Sequence, residues 1–292
     1  MSNTTVIYPV VTALVKAEEI IGPQRSWQSV NRRQELFLKE FFAPCRRESG
    51  SIAEIESIAA FTAAEINRFL SERGFKIELQ PFQNDERGQE FGVASVLDLL
   101  VSWFKPGEEK TLTGQDKQAY PAVRLGKVDT LFYRAARHEH PIARLKTTDE
   151  TEVYITRLDR PSAEFELIEL ARRLAGSLQP VYDYDGVIFP MVDMKQEVDV
   201  SWLIGLQTIN SEGKPVILTQ AVQETRLAMN PTGARAQSAF AGAVMVGMAY
   251  MPPKPDLLID GPFLIWFQRP ALSQPLFIGY ITEEDWKNPG EL

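Results

Sequence analysis

The chain has 292 residues, 44% hydrophobic and 24% charged, an ordinary composition for a water-soluble globular protein. A net charge of −8 argues against a nucleic-acid binder, which needs a basic face. The single cysteine, Cys45, excludes an intrachain disulfide.

The opening MSNTTVIYPVVTALVKAEE lacks the basic and apolar regions of a secretory leader, so a cytoplasmic location is expected, with non-classical export as the other route. Residues 12–74 read as helical. Glu35 to Phe42 places its apolar side chains at spacings of three and four. Ser51 and Glu54 match a capping box, and Ile55, Ile58, Ala59, Thr62, Ile66, Phe69 and Leu70 then form one stripe that Gly74 ends. Phe75 to Phe82 alternates and fits a short edge strand. Asn84 to Gly88 is a charged turn, and Gly92 to Phe104 is an apolar segment that fits either a buried strand or a helix. Lys105 to Tyr120 reads as a polar loop.

From Pro121 the chain turns β-rich. Val128–Arg134 and Glu152–Leu158 read as strands. Ser162 is placed to cap a helix carrying Phe165, Ile168, Leu170, Ala171 and Leu174, which Gly176 ends. Val187–Val192 reads as a strand and Val198–Leu206 as a short helix. The strands Val216–Leu218, Ala221–Met229, Phe263–Phe267 and Leu276–Ile281 follow. The expected architecture is α+β, a single domain over 1–292: a helical part over 1–75, then a β-rich core over 76–292 that carries a loop at 230–253.

Ala228 to Pro253 holds one charge, Arg235, in an otherwise acidic chain. The uncharged residues 236–253 contain Gln, Ser, two Gly and two Pro, with no Leu or Ile, which is wrong for a membrane span. Local catalytic motifs are absent: no P-loop, no G-x-G-x-x-G after a strand, no G-x-S-x-G. His138 and His140 flank Glu139 in RHEHP, but no third metal ligand lies nearby in sequence, so the motif reads as a solvated turn. Asp183-Tyr184-Asp185-Gly186 is half of a calcium loop and reads as a plain turn. No metal and no cofactor are expected, and an enzyme has no motif behind it.

An ordered series of matches over 184–281 resembles the serpin family. Tyr184–Val192 and Val198–Leu206 resemble the family's paired strands and the short helix after them. Ala221–Met229 resembles the strand that leads into the reactive loop, and Met229–Ala239, MNPTGARAQSA, lies where the family has its hinge, with Gly233 as the hinge glycine. Met251-Pro252-Pro253 resembles the distal end of that loop. LLIDGPFLIWF (257–267) and PLFIGYI (275–281) resemble the closing signature strands. Residues 121–180 are compatible with the family. Residues 1–120 carry no matching motif, and the chain is shorter than the family's usual length.

The resemblance implies a serpin-like fold with mixed and antiparallel sheets, and a reactive loop over 233–253. In this family a protease cleaves the loop, and its hinge half inserts as a new strand into the central sheet. Alternate residues of a strand face one side, and that face must be small and uncharged. Reading from Ala234, the inserting face is Ala234, Ala236, Ser238, Phe240, Gly242, Val244 and Val246, with Phe240 as the bulky exception; Arg235 lies on the opposite face. Counting from Gly233 puts cleavage after Gly247, and counting back from Pro252-Pro253 puts it after Ala249. The scissile candidates are therefore Gly247, Met248 and Ala249, which suit an elastase-like or subtilisin-like protease. The resemblance thus implies an inhibitor whose partner is a serine or cysteine protease, or a non-inhibitory binding or structural protein with another protein partner.

Overall fold

The computed structural model describes residues 1–22, 26–82, 90–99, 101–160, 165–234 and 254–292. A short strand, β1 (Asn3–Thr5), precedes α1 (Tyr8–Ile21), which buries Tyr8, Val11, Leu14, Ala17 and Ile21 at helical spacing. Next comes one helical run of three parts: α2 (Arg32–Phe37), a π turn (Leu38–Phe42) and α3 (Ala43–Glu48). Asn31 caps it, its Oδ1 accepting from Gln34 N at 2.9 Å. The wide π turn directly precedes Pro44, whose ring would clash with the residue-40 carbonyl of a regular helix.

The predicted helix over 51–74 is in fact a strand followed by a helix: β2 (Ile55–Ala60) and α4 (Ala63–Glu72). Helical and strand periods coincide over Ile55, Ile58 and Ala59, and antiparallel pairing with a later strand decides between them. No capping box forms. Ser51 Oγ donates to the Glu48 carbonyl, and Glu54 pairs with Arg269. Gly74 does end the helix, at φ 74°, with Phe75 N donating to Leu70 O at 3.0 Å. Phe75–Phe82 is not a strand. It runs over the outer face of a sheet, held by Asn67, whose side chain bonds both the N–H and the carbonyl of Leu79 at 2.8 and 2.9 Å.

The apolar run after it is β3 (Glu90–Leu97) and β4 (Val101–Ser102). The expected loop over 105–120 is largely a hairpin, β5 (Glu108–Thr113) and β6 (Ala119–Gly126); its polar strand β5 lies at a sheet edge, where polar residues are tolerated. β7 (Thr130–Arg134), β8 (Ile142–Leu145) and β9 (Glu152–Arg157) form a meander. α5 (Phe165–Ala175), β10 (Gln179–Val181), β11 (Gly186–Pro190) and β12 (Val192–Val198) follow. The helix expected at 198–206 is reduced to one 3-10 turn, Ser201–Leu203. Three carbonyls in and just after it, those of Trp202, Leu203 and Ile204, are held by the buried Gln34 amide. Beyond it lie β13 (Gln207–Ile209), β14 (Pro215–Met229), β15 (Gly233–Ala234), β16 (Asp256–Leu258), β17 (Phe263–Gln268) and β18 (Phe277–Ile281).

These strands make an antiparallel seven-stranded sheet, β1-β18-β17-β9-β8-β7-β10, and a four-stranded sheet, β16-β11-β6-β5. The central sheet runs β12-β14-β3-β2, with β13 added beside the start of β14. Its middle pair, β14 and β3, is parallel, whereas β12 on β14 and β2 on β3 are antiparallel. The main core lies between the sheets and includes α1, with Trp266, Phe263, Phe267 and Phe189 fully buried. A smaller core covers the outer face of the central sheet: Ile66 and Leu70 of α4 with Leu79, Phe82, Ala94 and Val96.

Candidate functional site

The site lies where the parallel pair of the central sheet parts. β14 pairs with β3 from Ile217↔Glu90 to Gln223↔Ser95 and no further. β14 then continues to Met229 along β12 alone, from Gln223↔Val198 to Met229↔Val192. Beside this fork a cavity of about 540 Å³ is lined by Val96, Leu97 and Leu99 on one side, Arg226, Leu227 and Ala228 on the other, and Ala234.

At the end of β14 the chain reverses in a tightly bonded turn. Asn230 Oδ1 accepts from Thr232 N at 2.8 Å and from Thr232 Oγ1 at 2.7 Å, an Asx-type turn. Asn230 N donates to Gly233 O at 2.9 Å. The buried Trp103 indole donates to Asn230 O at 3.0 Å, Gly107 N donates to Pro231 O at 2.7 Å, and Asn230 Nδ2 reaches Gly290 O at 2.9 Å. The reversed chain enters β15, antiparallel to β4. Gly233 is required there: a Cβ would lie 2.4 Å from the Val101 carbonyl oxygen. Ala234 is buried at the mouth of the cavity.

The far end of the loop is anchored too. Lys254 N donates to Asp185 Oδ2 at 2.6 Å, which holds that carboxyl below its usual range. The half-matched calcium loop at 183–186 thus serves as an anchor, with Lys127 Nζ 3.6 Å from Asp185 as well. β16 pairs parallel with β11, and Arg124 grips Asp256 through two bonds of 2.7 and 3.1 Å.

The outer cover of the central sheet is fastened across the parallel pair. Gln80 N donates to Gln220 Oε1 at 2.8 Å, and Gln220 Nε2 donates back to Gln80 O at 2.7 Å. Gln220 stands at the one irregularity in the β14–β3 register. Arg226 donates to Gly74 O at 3.0 Å, and its guanidinium lies 4.5 Å from the Phe75 ring. Glu224, buried, holds both Arg226 and Lys195 at 3.1 Å. Gly92 lets this cover approach the sheet, since a Cβ there would meet Phe82 at 2.7 Å and Leu79 at 2.9 Å.

Of the residues singled out in the sequence, the structure brings Gly233 and Ala234 to the fork. Ala236, Ser238, Phe240, Gly247, Met248 and Ala249 lie outside the described residues, as do the turn at 84–88, the cap at Ser162 and the segment 251–253. Sequence reasoning missed Trp103, Gly107, Gln220 and Arg226. Trp103 sits in an apolar run that looks like ordinary core. Nothing local marks Arg226 as the residue that reaches Gly74, at the end of a helix, 152 positions earlier in the chain.

β14 and β3 run the same way, and β15 runs against β4, the strand that follows β3.

No family model matches this sequence, and no curated protein matches it. Among solved structures, the chain is similar to human thyroxine-binding globulin complexed with thyroxine, at 11% identity and a TM-score of 0.53, covering 94% of this chain and 96% of that one. A second thyroxine-binding globulin complex with thyroxine gives 10% identity and a TM-score of 0.54, with 94% and 98% covered. Serpin48 of the insect Tenebrio molitor, described as a highly specific serpin, gives 12% identity and a TM-score of 0.51, with 94% and 95% covered. The chain has an α+β, serpin-like fold.

Proposed function

We propose that this protein is a serpin-type protease inhibitor that acts by inserting the segment after Ala234 between β3 and β14. The observation that carries this reading is the parallel pair that parts beyond Gln223 and Ser95, with a hinge turn delivering the chain antiparallel at its mouth. The sequence adds small residues at the first inserting positions, Ala234, Ala236 and Ser238. The bait lies at Gly247, Met248 or Ala249, and the partner is a serine protease of elastase or subtilisin type, or a cysteine protease of similar preference. In this role the protein is a stoichiometric trap and not an enzyme.

A second reading has its own support. Phe240 is large for an inserting position, and the cover bonded through Gln80, Gln220 and Arg226 crosses the strands that would have to separate. In a non-inhibitory binding or structural protein this fork stays closed.

Incubation with elastase-type and subtilisin-type proteases, followed by a denaturing gel, separates the two. The inhibitor gives a covalent complex that survives denaturation. The cleaved chain also melts higher, by on the order of 10 °C or more, because each added ladder bond is worth about 1 kcal/mol. Ala236→Arg places a charge on the inserting face and converts the inhibitor into a substrate. Nicking within 240–250 with no covalent complex and no change in melting temperature overturns the inhibitory reading.

A further inference from the structure

The fold brings together residues that the sequence keeps apart. The chain has two histidines, His138 and His140, and both lie in the connection between β7 and β8. β8 pairs with β9 through Ile142↔Thr156, which carries Asp159, just past the end of β9, to the same place. His140 Nε2 lies 3.2 Å from Asp159 Oδ2. With Glu139 included, one ligand atom from each of the three side chains falls within 4.8 Å of the others. The third ligand missing beside the H-E-H motif is therefore supplied from 19 residues further along the chain.

The geometry suits a small divalent ion. Two ligands at zinc distance, subtending a tetrahedral angle, stand about 3.3 Å apart. His140 and Asp159 already have that separation, so only the exposed Glu139 side chain has to swing inward. Asp159 is oriented from behind, because its other oxygen, Oδ1, accepts from Arg157 Nη2 at 3.2 Å. Arg157 also lies 3.1 Å from Asp260. The group thus sets three carboxylates against one guanidinium, an excess of negative charge that a divalent cation would balance.

The second histidine is held in one tautomer beside the site. Thr156 Oγ1 gives its hydrogen to Pro141 O at 2.8 Å, so His138 Nε2, 2.8 Å from the same oxygen, is the donor. In the neutral ring this leaves the lone pair on Nδ1. The two imidazole rings stand 6.0 Å apart and nearly perpendicular.

We propose that His140, Asp159 and Glu139 form a binding site for one divalent transition-metal ion of the zinc class. The ion takes the place of the proton between His140 Nε2 and Asp159 Oδ2, and that proton moves to His140 Nδ1. One imidazole with two carboxylates favours zinc over magnesium or calcium, which prefer all-oxygen shells. The bound ion staples the β7–β8 connection to the end of β9.

The test is calorimetric titration of chelator-stripped protein with zinc chloride, with magnesium chloride as a parallel probe and the melting temperature followed in each. Zinc is expected to bind one per chain and raise the melting temperature, and magnesium to do neither at the same concentration. His140→Ala and Glu139→Gln are each expected to weaken zinc binding by about tenfold or more, with the metal-free melting temperature unchanged. Equal zinc binding by the wild type and His140→Ala overturns the proposal. So does an equal response to magnesium, which marks general attraction to an acidic surface.

Discussion

Replacing Gly233 by alanine tests how the turn after β14 is held. The new Cβ would stand 2.4 Å from Val101 O, 3.0 Å from Ser102 Cα and 3.3 Å from the Val101 carbonyl carbon, against an ordinary contact of 3.4 Å or more. All three neighbours are backbone atoms of β4, so no rotamer change relieves the overlap, and β15 must move away by about the missing ångström. That shift breaks the β15–β4 pairing and loosens the Asn230–Gly233 bonds. Overpacking of this kind costs about 1–3 kcal/mol, and each weakened bond adds about 1 kcal/mol. The expected loss is therefore about 2–4 kcal/mol, read from urea unfolding curves. Gly50→Ala is the control: no atom lies within 4 Å of its added Cβ, and a change within about 0.5 kcal/mol is expected. Gly233→Ala should also speed trypsin cleavage after Arg235, the one basic residue between Ala228 and Pro253. If both variants are equally stable and cut at the wild-type rate, Gly233 is not what fixes the turn against β4.

Two further outcomes follow from particular groups. Arg269 grips Glu54 through both terminal guanidinium nitrogens, Nη1 and Nη2, and holds its carboxyl below the usual range. A lowered folded value contributes stability above the unfolded carboxylate pKa of about 4.3, and that contribution disappears as pH falls through the folded value. Glu54→Gln should therefore cost about 1 kcal/mol at pH 7 and close to nothing near pH 2 in urea unfolding, and a gap that does not change with pH refutes the pairing. Cys45 is fully buried and its thiol is pushed up to about 11, chiefly by that burial. Iodoacetamide at pH 8 should leave the folded protein unmodified and alkylate it fully in denaturant; rapid labelling of the folded chain contradicts the packing of α3.

The strands of the C-terminal third were legible because each is a dense apolar run with a turn on either side. Phe263–Phe267 and Leu276–Ile281 are strands for the same reason that they look like strands: both of their faces are buried. The α+β class followed from helical patterns ahead of such segments, and the serpin-like architecture was what the resemblance of 184–281 to the serpin family implied. The region 51–82 was legible only over α4 and its Gly74 stop. Ile55, Ile58 and Ala59 satisfy a helical and a strand period at once, and only pairing with β3 chooses between them. Phe75–Phe82 alternates like a strand, yet it gains no ladder, because side chains of Asn67 and Gln220 take its backbone groups instead. Lys105–Tyr120 looked like a loop because the strand inside it is a polar edge strand.

By itself the sequence determined the bland composition of the segment after Ala234 and the apolar strands Phe263–Gln268 and Phe277–Ile281 beyond it. These are local properties of a chain that must be small here and apolar there. Only the tertiary structure decided that β14 and β3 are parallel and part at Gln223 and Ser95, that Trp103 and Gly107 pin the turn after β14, and that Asp159 joins His140. Each of these depends on residues far apart along the chain meeting through strand register, and no local pattern encodes which distant backbone a strand will pair with.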